Sequence, residues 1–172
     1  MKIASFNING IKARIQLLKE WLKKENPDII GLQELKSDNS NLNKDMFGDL
    51  GYSFAYNGQK SYNGCGILSK HEIKNTSYFF NGIQEDPQKR WISAEINGIL
   101  ICNLYLPNGN PLGTEKFEYK IHWMNLLYNY LKELQSIGKP IVIMGDFNII
   151  PQDIDCKSPK KWINDALYDT DA

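Results

Sequence analysis

The stretch Ile141-Val142-Ile143-Met144-Gly145-Asp146-Phe147-Asn148-Ile149-Ile150-Pro151 constrains the fold more than any other. Four consecutive apolar residues predict a strand buried on both faces, and such a strand needs layers above and below it. Gly145 breaks the run, and Asp146 and Asn148 follow two residues apart. In an extended segment that spacing puts both on one side and turns Phe147 the opposite way, into packing. Pro151 ends the strand. A carboxylate and an amide at the mouth of a rigid element are a pair whose chemistry gains from positioning. An ordinary Asp/Asn turn has the same pattern, so the stretch gains meaning only from the rest of the chain.

The rest alternates in type. Ile3 to Asn7 reads as a strand entering a turn at Asn9-Gly10. Ile11, Ile15, Leu18 and Leu22 fall at helical spacing, ringed by lysines, and Asn26-Pro27 stops that helix. Asp28 to Glu34 is a second buried strand, and it too ends in a carboxylate. Tyr52 to Tyr56 and Gly66 to Ser69 read as short strands, and Ile73 to Phe80 with Trp91 to Ile96 as an antiparallel pair. Asn97-Gly98 signals a hairpin leading into the long apolar strand Ile99 to Leu106. Phe117, Ile121, Met124, Leu127, Leu131 and Leu134 fit one helix face, closed by Gly138. No repeat or linker divides the chain. The expectation is one α/β domain over residues 1–172, layered, with mixed sheets.

Composition narrows the function classes. Net charge is zero, which excludes a binder working by bulk positive charge but not a local basic groove. Arg14 and Arg90 are the two arginines, so a planar bidentate phosphate clamp has to use one of them. Cys65, Cys102 and Cys156 are widely spaced, which suggests neither a zinc knuckle nor a disulfide framework. No apolar run approaches the roughly 18 residues of a membrane span. The default expectation is a reduced, cytoplasmic setting with no membrane partner.

Four strand ends carry polar groups: Asn7; Glu34; Tyr105 with Asn108; and Asp146 with Asn148. Brought to one rim, they supply two carboxylates, three amides and a phenol. Such oxygen donors suit Mg²⁺, with Mn²⁺ as an alternative, and no histidine cluster favours zinc. The chemistry they fit is phosphodiester hydrolysis: a cation to neutralise phosphate charge, a carboxylate for water, and amides and a phenol for phosphoryl oxygens.

Five stretches together resemble the endonuclease/exonuclease/phosphatase superfamily, and within it the exodeoxyribonuclease III and AP endonuclease branch. They are Ile3 to Ile11, Leu32-Gln33-Glu34-Leu35-Lys36, Asn63 to Ser69, Tyr105-Leu106-Pro107-Asn108-Gly109 and Gly145 to Pro151, and they occur in family order. The resemblance implies a layered α/β sandwich and DNA repair chemistry. It implies Glu34 as the principal Mg²⁺ ligand with Asn7 beside it. Asp146 would orient or activate the attacking water, and Asn148 would fix the phosphate and its neighbours. Tyr105 and Asn108 would contact the scissile phosphate, and Arg90 and Lys36 the DNA backbone. The implied substrates are duplex DNA cut 5′ to an abasic site and 3′ ends trimmed stepwise.

Two further family motifs, an aspartate in a Leu-Arg-Ile-Asp-like strand and a Ser-Asp-His triplet, have no counterpart before Ala172. Neither His71 nor His122 reads as a replacement for that histidine. The resemblance therefore implies a C-terminally incomplete domain whose open sheet edges a second chain could complete. Three readings stand: a Mg²⁺-dependent DNA repair nuclease, a non-catalytic remnant that binds DNA or a partner chain, and a phosphatase of the same superfamily.

Overall fold

The computed structural model describes residues 1–169. Its elements are β1 (Ile3–Asn7), α1 (Ile11–Glu25), β2 (Ile29–Gln33), β3 (Ser53–Asn57), β4 (Cys65–Ser69), β5 (Lys74–Ser77), β6 (Trp91–Ile96), β7 (Ile99–Tyr105), α2 (Glu115–Ser136) and β8 (Ile141–Asp146), with short 3₁₀ turns between some of them. Two four-stranded sheets form, in the orders β1-β2-β4-β3 and β5-β6-β7-β8. β1 pairs with β2 and β7 with β8 in parallel, and the remaining pairs are antiparallel. A parallel pair needs a crossover. α1 is the crossover in the first sheet and α2 in the second.

Strand alternation sorts the apolar side chains into three cores. Ile30, Leu32 and Leu68 face out of the first sheet onto Ile11, Leu18 and Leu22 of α1. Cys102 and Leu104 face out of the second onto Trp123, Leu127 and Leu134 of α2. Phe80 joins that second cluster edge-on to Trp91 and Trp123, with ring centroids 4.9 and 5.2 Å apart, a geometry that adds about 0.5–1.5 kcal/mol per pair beyond the area buried. Ile29, Ile67, Ile92, Ala94, Ile96, Ile101 and Met144 fill the space between the sheets. The result is helix, sheet, sheet, helix: the layered α/β arrangement with mixed sheets that the sequence predicts. Among the described residues no helix is long and apolar enough to cross a membrane.

Several local expectations change. β8 is not buried on both faces: Ile143 is 37% exposed and Met144 is its one buried residue. The reason is its place as the last strand of its sheet, which an apolar run does not encode. Gly145 does not break the strand but pairs with Leu104 inside it. Its φ of +151° and the Leu104 carbonyl oxygen, with which a Cβ would collide, explain the glycine. Phe147 is 40% exposed instead of packed. The buried face of α2 runs through Lys120, Trp123, Leu127 and Leu134, offset from the predicted one. The Asn97-Gly98 hairpin forms as expected, with positive φ at both residues (53° and 78°).

Candidate active site

Period-two alternation explains why the polar strand ends converge. Ile3, Ile29, Ile101 and Met144 all lie in the core between the sheets. Asn7, Gln33 and Tyr105 come four residues after the first three, and Asp146 two after the last, so all share that inward face. Register then aligns them: Asn7 lies opposite Gln33, and Tyr105 opposite Asp146. Parallel pairing puts the C-terminal ends of β1 and β2 at one rim, and those of β7 and β8 likewise. The two rims meet where Asn7 Nδ2 donates both to Glu34 Oε1 (2.9 Å) and to Asp146 Oδ2 (2.8 Å). One amide thus joins carboxylates from the two sheets.

The other predicted residues gather around that bridge. The Tyr105 hydroxyl donates to Glu34 Oε1 at 2.8 Å. Lys36 Nζ lies 2.6 Å from Glu34 Oε2 and donates to Asn9 Oδ1 at 2.6 Å. Asp146 Oδ1 accepts the Asn148 backbone N–H at 3.1 Å, and Asn148 Nδ2 donates to the Leu106 carbonyl at 2.8 Å. Asp146 and Asn148 are therefore related by a turn, not by the extended spacing expected. Arg90 stacks 5.0 Å above the Tyr105 ring and donates through Nη1 to the Tyr105 carbonyl at 3.2 Å. Asn108 sits apart from the bridge. It is exposed, and with Arg90, Tyr62, Gln88, Lys116 and Tyr119 it lines a neighbouring cleft of about 540 Å³. A larger groove of about 770 Å³, beside β3, is lined by none of these residues and so lies away from the chemistry.

The backbone at the site is strained. Asn9, Glu34, Lys36 and Asn148 all have left-handed φ, between 45° and 55°, a conformation that costs on the order of 1 kcal/mol or more for a residue with a Cβ. Hydrogen bonds over-determine it. Gly10 N–H donates to the Glu34 carbonyl at 2.8 Å, Leu35 N–H to Gly64 at 3.0 Å and Lys36 N–H to Asn63 at 2.9 Å. Glu34 is thereby aimed at the rim by its loop instead of by the strand that precedes it.

Electrostatics follow from these contacts. Burial pushes the Glu34 pKa up, but hydrogen bonds from Lys36, Asn7 and Tyr105 and the Lys36 charge outweigh it and hold the carboxyl below its usual range. Burial first, and then the Glu34 carboxylate, push the Tyr105 phenol far above its usual range, so it stays a proton donor. The donors are hard oxygens and amides with no sulfur or imidazole. Among the described residues no three His, Cys, Asp or Glu side chains cluster as a metal cage. A pair of carboxylates of this kind fits Mg²⁺, which keeps several waters and takes one or two protein carboxylates. Glu34 would hold it. A cation on Glu34 Oε2 has to share that oxygen with the Lys36 ammonium. Asn7 shows its amide nitrogen to both carboxylates while its Oδ1 accepts the Asn9 N–H at 3.0 Å, so here it spaces the carboxylates; oxygen ligation by Asn7 requires its amide to turn.

The chain matches the Endonuclease/Exonuclease/phosphatase family over residues 4–170. It belongs to that family. Exodeoxyribonuclease III of Haemophilus influenzae is 38% identical over 172 residues, covering 95% of this chain and 64% of that protein. An AP endonuclease structure from Archaeoglobus fulgidus superposes with a TM-score of 0.93 at 35% identity, covering 99% of this chain and 66% of that one. A Neisseria 3′ phosphatase bound to a product DNA hairpin gives 0.88 at 34% identity, covering 94% and 63%. The chain thus spans a little under two thirds of the length of each of these family members.

Two supports of this family site escape a reading of the sequence. Asn103, fully buried, donates to the Leu32 and Gly66 carbonyls (2.9 Å each) and accepts from Gln33 Nε2 at 2.6 Å. That network ties β7 to β2 and β4 directly beneath Glu34. Its signal is a lone amide inside each of two apolar strands. Lys120, buried on α2, is the other, and its signal is a lysine three residues before Trp123 and seven before Leu127 on the apolar face.

Proposed function

We propose that this chain, as one domain, is a Mg²⁺-dependent DNA repair nuclease that incises duplex DNA 5′ to abasic sites and removes nucleotides from 3′ ends. The observation that carries the reading is the Asn7 amide bridging Glu34 and Asp146, with the Tyr105 hydroxyl on Glu34, in a member of a family of nucleases and phosphatases. Mn²⁺ is an alternative to Mg²⁺ for the same hard oxygens. When bound, the metal supplies a Lewis acid for a phosphoryl oxygen.

The chain's own groups do the rest. Asp146, fixed at Oδ2 by Asn7 and at Oδ1 by the Asn148 N–H, orients the attacking water and takes its proton. Tyr105, kept protonated, has one hydroxyl hydrogen, which a phosphate oxygen would take over from Glu34 Oε1. Asn148 fixes the phosphate alongside it. Arg90 and Asn108 face the cleft that would hold the DNA backbone, with Lys36 at the opposite end of Glu34. Removing one such prepositioned group costs about a hundredfold or more in rate. The free cysteines, two of them buried, fit a reducing cytoplasm.

Open sheet edges favour a second reading. β1 and β8, like β3 and β5, end their sheets among the described residues. A strand from a partner chain would fit there, as would a binding role without cleavage.

The test is cleavage of a labelled duplex carrying one abasic site, with Mg²⁺ and with EDTA, beside a 3′-phosphorylated duplex. Mg²⁺-dependent incision is expected, with Asp146→Asn reducing it by about a hundredfold or more while leaving the melting temperature within a few degrees. No incision from a folded, monodisperse sample overturns the nuclease reading and leaves binding through β1 or β8. Release of phosphate alone points to the phosphatase branch.

A further inference from the structure

Lys120 is fully buried in the middle of the apolar face of α2. A buried ammonium is unfavourable unless its hydrogens find acceptors. Here Nζ donates to the Asn148 carbonyl at 2.9 Å and to the Ala166 carbonyl at 2.6 Å. Burial lowers the Lys120 pKa, against the opposing charges of Asp165 and Asp169.

The two carbonyls belong to loops that are also tied to each other and to a third. Ile150 N–H donates to the Leu167 carbonyl at 2.6 Å. Asn110 Nδ2 donates to Asp165 Oδ1 at 2.9 Å, and Asn110 Oδ1 accepts the Ala166 N–H at 2.9 Å. Gly109 lies on the lysine stem: a Cβ there would come 2.6 Å from Lys120 Cδ. The loop with Asn108, the loop with Asp146 and Asn148, and the 165–168 segment therefore converge on one side chain. Asn148 also has a left-handed backbone, φ 48°, a conformation that persists only where surrounding contacts hold it.

We propose that Lys120 is a positioning residue: by holding the Asn148 carbonyl, its ammonium sets the loop carrying Asp146 and Asn148 and registers it against the loop carrying Asn108. The proposal rests on the nuclease reading for its kinetic consequence, not for its structural one. Lys120 touches no substrate in this account. It acts on the step in which Asp146 and Asn148 must be aligned, and so on turnover more than on DNA affinity.

Lys120→Met keeps an unbranched apolar stem, one atom shorter, and removes the ammonium. On the abasic duplex, kcat is expected to fall by about tenfold or more, since misplacement of around an ångström carries losses of that order, with KM changed by less than about threefold. Hydrogen exchange at the Asn148 and Ile150 amides is expected to speed up in the same variant. Wild-type kcat, or a loss confined to KM, overturns the proposal. If the wild-type chain itself does not cleave, the nuclease reading falls separately, and exchange decides alone: unchanged protection at Asn148 and Ile150 overturns the loop-holding role. If Lys120→Met does not fold, Lys120→Gln, which retains an N–H donor for one carbonyl, is compared in its place, with an intermediate loss of kcat expected and no loss refuting the assignment.

Discussion

Tyr105→Phe removes one oxygen and leaves the ring on which Arg90 stacks at 5.0 Å. Glu34 Oε1 then keeps the Asn7 amide at 2.9 Å, and Oε2 keeps Lys36 at 2.6 Å. The lost 2.8 Å bond ends on a carboxylate, a class of bond that contributes about 1.5–3 kcal/mol to stability. The Glu34 side chain is 16% exposed, so water replaces part of the phenol's role and the lower end applies. The expected loss is about 1.5 kcal/mol of unfolding free energy at neutral pH. It carries a pH signature. The folded Glu34 pKa is depressed, with burial opposing and the Lys36, Asn7 and Tyr105 contacts prevailing. Stability from a depressed carboxyl is present above the unfolded pKa and is lost as pH falls through the folded one. The gap between wild type and Tyr105→Phe should therefore narrow on acidification. Urea titrations of both proteins from neutral to acid pH measure it. A gap below about 0.5 kcal/mol at neutral pH, the scatter of ordinary surface changes, refutes the reasoning, as does a gap that stays constant through the acid limb.

Two further substitutions separate the proposed metal site from the scaffold. Glu34→Ala should weaken Mg²⁺ binding by at least about tenfold in titration calorimetry, and an unchanged affinity would remove Glu34 from the ligand set. Gly145→Ala places a Cβ against the Leu104 carbonyl at a φ of +151° and should lower unfolding free energy by about 2–3 kcal/mol; a thermal melt matching wild type would mean that β7 and β8 can part at that point without loss.

The sequence made the pieces of the site legible and left their assembly hidden. Each of Asn7, Glu34, Tyr105 and Asp146 follows an apolar run, so each could be read as a polar strand end. That β1 and β8 would lie at the same side of stacked sheets depends on docking, which no local period encodes. The same gap explains the error over Ile141 to Met144: apolarity marks a strand that packs, but not whether a neighbour covers its far edge. Asn7 could be read as a residue near the carboxylates, whereas its bridging amide follows from the backbone turn that gives its oxygen to Asn9. Apolar residues alone define the helix face that the sequence predicts. That places Ile121 and Met124 at its centre and passes over Lys120, a charged residue whose burial makes sense only once two carbonyls from distant loops are beside it.

The Asn7–Asp146 bond joins residues 139 positions apart. One carboxylate comes with β1, α1 and β2, and the other with β7, α2 and β8, so neither structural half holds both. Bringing together residues so far apart carries a loop-closure cost that local pairings do not. A molecule with one sheet built and the other still loose lacks one of the two carboxylates. On the nuclease reading proposed above, competence to cut would arrive only with docking, and the bridge would be an assembly checkpoint built from a single amide.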